Sequence, residues 1–185
     1  MEATTENMTM QEYWMGDFFA VLGKEPELYR ECMNSRIRSL GQKSSLEHPD
    51  NFREFISCWI FIHSFILHEH VLTIEDSELR EKVQTMAMAE IAAVCRTEEV
   101  VGGILEEFLN ELETRRELSD PRCDFSPGNM LAWYYCKRLQ LMFQVKHHRP
   151  EPCDLPSPAE LTLITRLTDD TIPMTLQSFD HLLAS

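Results

Sequence analysis

FREFISCWIFIHSFIL, residues 52–67, is the stretch from which the rest of the chain can be read. Wound as a helix, it puts Phe52, Phe55, Ile56, Trp59, Ile60, Ile62, Phe65 and Ile66 on nearly every side, leaving no broad polar face for water. Such a helix must be surrounded by others, so it is expected at the centre of the fold, capped by Asp50 or Asn51. Its most apolar part, Phe55 to Leu67, is 13 residues broken by Ser57, His63 and Ser64. As a helix that part reaches only about 20 Å, against about 30 Å of bilayer hydrocarbon, and reads as buried rather than membrane-spanning.

Working outward, apolar residues recur at helical spacing almost throughout, and no strand-like alternation bounded by hairpin dipeptides occurs. Upstream, Thr9 and Glu12 form a capping-box pattern ahead of Trp14, Phe18, Val21 and Leu22, a helix that Gly23 ends. Pro26 suits the start of the next, which runs through Leu28, Cys32, Met33, Ile37 and Leu40 to Gly41 with its arginines on the outer side. Downstream, Asp76 precedes a helix with Leu79, Val83, Met86, Ile91 and Val94 inward, and Thr97 one with Val101, Leu105, Phe108 and Leu112. Ser126-Pro127 offers a cap and a proline start for a long helix through Leu131, Tyr134, Tyr135, Leu139 and Met142.

Four prolines between His147 and Pro158 then predict a linker, after which Ser157-Pro158-Ala159-Glu160 restarts a helix through Leu161, Ile164 and Leu167, followed by a second short segment. The predicted fold is all-α: a single helical domain of five or six helices around one apolar central helix, residues 8–146, a proline-rich linker, 147–158, and a short helical C-terminal tail, 159–185.

Composition limits the function. The chain's 185 residues are 43% hydrophobic and 26% charged, close to globular averages. Thirty-one acidic residues against 17 basic give a formal charge of -14, which repels phosphate backbones, so nucleic acid is not an expected partner. Residues 1–10 carry two glutamates, no Lys or Arg and no apolar run, so the expected location is intracellular, in cytoplasm or nucleus. The six cysteines, widely spaced, are expected to be reduced thiols, with Cys136 facing the core.

Two constellations resemble metal sites without meeting their geometry. His63, His68 and His70 fall within eight residues, but only His63 and His70 share a helix face. Cys123, Cys136, His147, His148 and Cys153 contain no paired-ligand spacing. No phosphate loop or nucleophile elbow is present, and the carboxylate pairs Glu106-Glu107 and Asp169-Asp170 read as solvated helix faces. No cofactor or metal is expected.

Two elements suggest binding of another protein. Leu176, Phe179, Leu182 and Leu183 lie at i, i+3, i+6 and i+7, a single apolar stripe on the tail, flanked by Asp169, Asp170 and Asp180, that needs either the domain's own groove or a partner's. Lys137 and Arg138, with Lys146, His147, His148 and Arg149, form a basic patch beside Trp133, Tyr134 and Tyr135 that suits an acidic partner. The expectation is a non-enzymatic adaptor or regulator that binds partners through helix surfaces, chiefly the tail. The alternative is a small enzyme or metal protein whose site is assembled from distant Cys, His and acidic residues.

Overall fold

The computed structural model describes residues 17–18, 20–95, 110, 126–146 and 154–184, with backbone only for 68, 72, 87–95 and 183. Asp17, Phe18 and residues 20–22 are helical, and five helices follow: α1 (Glu25–Ser39), α2 (Pro49–His70), α3 (Ser77–Cys95), α4 (Pro127–Val145) and α5 (Pro158–Leu183). Short 3-10 turns, Ser45–Glu47 and Val71–Thr73, flank α2. Among the described residues there is no strand, and the fold is all-α. The helices expected from Thr9 and from Thr97 fall largely or wholly outside the described residues.

Central placement of α2 follows from its composition. Phe52, Phe55, Cys58, Trp59, Phe61, Ile62 and Leu67 are all buried, and α2 packs against each of the other four helices and both 3-10 turns. Aromatic rings link it to its neighbours: Phe55 meets Tyr135 of α4 edge-on at 5.5 Å, and Tyr29 of α1 lies 6.0 Å from Trp59. The helix starts two or three residues earlier than expected. His48 is its cap, accepting from the Asp50 N–H through Nδ1, and Pro49 takes the first turn where no N–H is needed. Asn51 instead donates to the Asp154 carbonyl at 2.8 Å, tying the start of α2 to the segment that leads into α5.

α1 ends as its sequence requires, with Gly41 at a φ of 73° that L side chains rarely adopt. Met33 and Ile37 are buried, whereas Leu28, Cys32 and Leu40 are exposed. Arg30 departs from the expected outer side: its Nε donates to the Leu46 carbonyl at 3.0 Å and its guanidinium lies 4.2 Å over the Phe52 ring. Asp76 caps α3, accepting from the Glu78 and Leu79 N–H groups. Ser126 caps α4 by accepting from Asn129 N.

The C-terminal region differs from the expected pair of short segments. α5 is one continuous helix of 26 residues that passes through Pro173 and packs on α4, α1 and α2. Proline in a helix interior costs about 3 kcal/mol, and the burial of Ile164, Ile172 and Phe179 along the same helix offsets it. Two contacts at Gly128 fasten α5 to α4. At Gly128 an added Cβ would lie 2.1 Å from the Thr165 carbonyl oxygen, so only glycine lets α4 and α5 approach this closely. Asp169 Oδ1 accepts from Gly128 N at 2.7 Å, placing a carboxylate of α5 at the positive end of α4.

Candidate functional site

The predicted binding stripe lies inward. Phe179 is fully buried, its ring edge-on to Phe18 at 5.5 Å, and Leu176 and Leu182 pack partly buried against the same core; the Leu183 side chain lies outside the described residues. A single apolar stripe on one helix has found the domain's own groove, which corrects its assignment as a free partner-binding surface. His70 reinforces the docking, with its Nε2 2.9 Å from Asp180 Oδ1.

A second anchor sits at the start of α5. The Glu160 carboxylate is fully buried and accepts from Ser44 Oγ (2.8 Å), Ser45 N (3.0 Å), Ser45 Oγ (3.1 Å) and Leu46 N (3.4 Å). Tyr135 Oη lies 3.0 Å from Ser45 Oγ and joins the network to α4. Ser157 forms its half of the capping box, accepting from Glu160 N at 3.2 Å. The other half is replaced: the Glu160 side chain neutralises the N–H groups of the turn Ser45–Glu47. The Ser-x-x-Glu pattern marked the helix start, but nothing local pointed to a partner 115 residues away.

Of the basic pair, Arg138 is structural. Its side chain is 4% exposed, its Nε donates to Glu54 Oε2 of α2 at 2.6 Å, and its Nη1 reaches Tyr134 Oη at 3.4 Å. It is therefore not available to a partner, a correction that follows from the apolar surroundings: a buried guanidinium must be paired. Lys137, one residue before it, points the other way, with Nζ 5.3 Å from the centre of the half-buried Trp133 ring.

Trp133 forms one wall of an open groove of about 520 Å³ between α4 and the first half of α5. Cys136, Leu161, Thr165 and Arg166 line it further. Cys136 thus faces this groove rather than the core, and burial raises its thiol above the ordinary value. Burial raises the Cys58 thiol still further, outweighing the nearby Arg138 guanidinium, so neither sulfur is held as a reactive thiolate.

The histidines take separate roles. His63 is buried, stacked on Trp59 at 4.1 Å, with Nδ1–H donating to the Trp59 carbonyl at 2.8 Å. His70 is engaged with Asp180, and the His68 side chain lies outside the described residues, as do Cys123, Cys153, His147 and His148. Among the described residues, no three His, Cys, Asp or Glu side chains gather as metal ligands, and no helix is long and apolar enough to cross a membrane.

His63 also sets a pH dependence. Burial pushes its pKa down to about 4, the bond to the Trp59 carbonyl opposing only in part. The unfolded chain, with a value near 6.5, takes up the proton first. This contribution to stability is therefore complete above about pH 6.5 and falls as the pH drops toward 4. Urea unfolding at pH 7.5 and 4.5 should show this loss as roughly 2–3 kcal/mol, and His63→Gln should remove most of that difference. An unchanged pH dependence in the variant would place the titrating group elsewhere.

No protein-family model, no curated protein and no solved structure matches this chain.

Proposed function

We propose that this chain is a non-enzymatic helical interaction module that takes an acidic segment of another protein into the groove between α4 and α5. The observation that carries this reading is the pairing of a half-buried tryptophan with cations on a chain of charge -14: Trp133, with Lys137 over its ring, faces Arg166 across an open groove. Tryptophan and arginine are the residue types that most often anchor interfaces, and a local basic patch on an acidic surface selects and orients an acidic partner. The C-terminal segment still contributes, through the outward residues Leu161, Thr165 and Arg166 of the first half of α5 and not through the stripe around Phe179.

Affinity capture with the full chain, quantified by mass spectrometry, tests this against Trp133→Ala and the charge reversals Lys137→Glu and Arg166→Glu. An anchor tryptophan should cost at least about 2 kcal/mol, roughly a 30-fold loss of affinity, with little change in melting temperature because Trp133 is only half buried. The same partners should be lost with the charge reversals and on raising salt. Capture unaffected by all three substitutions would contradict the assignment.

A further inference from the structure

The groove between α4 and α5 has a definite direction. Gly128 of α4 lies against the Thr165 carbonyl and its N–H bonds Asp169, while at the other end Tyr135 is joined through Ser45 to Glu160. The two helices therefore run side by side and antiparallel, with residues 129–136 on one bank and 161–166 on the other. On the α4 bank Asn129, Trp133 and Cys136 stand at i, i+4 and i+7, so the groove follows the helix axes for about 10 Å, two turns. A furrow of this kind between neighbouring helices is where a further helix seats its ridge of side chains.

The polar groups of the banks favour the same shape of occupant. Backbone groups along both banks are used inside α4 and α5, and the Thr162 and Thr165 hydroxyls already donate, to the Pro158 carbonyl and toward the Gly128 carbonyl. Among the described residues no strand edge is present to pair with an extended peptide. A helix needs none, because its own backbone groups are bonded within it. Positive charge lies on both sides: Lys137 beside the α4 bank, its Nζ over the Trp133 ring, and Arg166 on the α5 bank. Arg166 is exposed and makes no ion pair among the described residues, and Asp169, one turn along, is taken up by Gly128 N.

Building on this groove as the interface, we infer that its occupant is an amphipathic α-helix of a partner protein laid along the two turns. Its apolar stripe covers Trp133, Ala132 and Leu161, and carboxylates on both flanks of the stripe meet Lys137 on one side and Arg166 on the other. Carboxylates on the far face of such a helix contribute little, because they stand in water away from both cations.

The test uses the full chain and three labelled two-heptad peptides, followed by fluorescence anisotropy and by the peptide Cα resonances. The first peptide carries leucines along one helical stripe and glutamates on both sides of it. In the second the glutamates are moved to the opposite face, and in the third a central residue of the first is replaced by proline. The first should bind at low salt with a dissociation constant of about 0.1 mM and take up helical Cα shifts. The other two should bind at least about tenfold more weakly, and Trp133→Ala and Arg166→Glu should each weaken the first by at least about tenfold. Equal binding of the proline peptide, or extended Cα shifts in the bound state, would overturn the helical occupant while leaving the groove as an acidic-segment interface. Equal binding of the second peptide would overturn the flanking carboxylates. No saturable binding by any of the three, or binding that survives Trp133→Ala, would overturn the helix and the interface together. Sedimentation of the chain alone checks the other occupant: a dimer that Arg166→Glu dissociates would give the groove to a second copy and overturn the inference.

Discussion

Replacing Glu160 by alanine is expected to cost about 3–5 kcal/mol of folding stability, read as a shift of the urea midpoint. The carboxylate is fully buried and serves the Ser44 and Ser45 hydroxyls and the N–H groups of Ser45 and Leu46 at once. Removing it leaves the Ser45 N–H and the Ser44 hydroxyl without their acceptor in the interior, where each unpaired group costs about 1–3 kcal/mol. Glu160→Gln, which keeps the shape and one acceptor oxygen, should recover part of the loss. A change below about 1 kcal/mol for the alanine variant would mean that the turn Ser45–Glu47 and α5 are not fastened together by this group.

Truncating Trp59 is expected to do comparable damage through packing. Its side chain is fully buried on the central helix, stacked on His63 and tilted against Phe55 at 6.1 Å and Tyr29 at 6.0 Å. Trp59→Ala should cost about 3–5 kcal/mol, and thermal unfolding will show it as a large drop in midpoint. Trp59→Phe separates the causes. Phenylalanine keeps most of the ring but gives up the indole N–H that faces the Glu25 carboxyl, and the loss should be about 1–2 kcal/mol. Equal losses for Ala and Phe would show that the contribution of Trp59 is not mainly volume.

What could be read from the residues was whatever depends on a single helix. The all-round apolar pattern of residues 52–67 placed α2 at the centre, Gly41 ended α1, and Ser126-Pro127 opened α4. What could not be read were the partners of side chains that reach across the chain. Arg138 looked like part of an exposed basic cluster because its ion pair with Glu54 joins residues 84 apart. Asp169 looked like a solvated carboxylate because its bond to Gly128 N depends on how α4 and α5 cross.

The stripe at Leu176, Phe179 and Leu182 was correctly identified as apolar and helical. Its use was ambiguous for a physical reason: hydrophobic spacing specifies that a face must be covered, not whose groove covers it. The two short segments expected there are one helix: Pro173 lies inside it, and burial of Ile172 and Phe179 on either side outweighs the one hydrogen bond the proline removes. The groove around Trp133 had only a faint local signal, an aromatic beside a lysine, since its opposite wall comes from Leu161, Thr165 and Arg166.

The integration of α5 into the domain is the point on which the reassigned binding surface depends, and amide hydrogen exchange tests it most directly. If α5 is a structural helix, amides between Ile164 and Phe179 should exchange with opening free energies close to those of α2 and α4, because the three open as one cooperative unit. Exchange of that segment within seconds, while α2 and α4 remain protected, would contradict it: α5 would then be a loosely held tail, and the stripe around Phe179 would again be the surface offered to a partner.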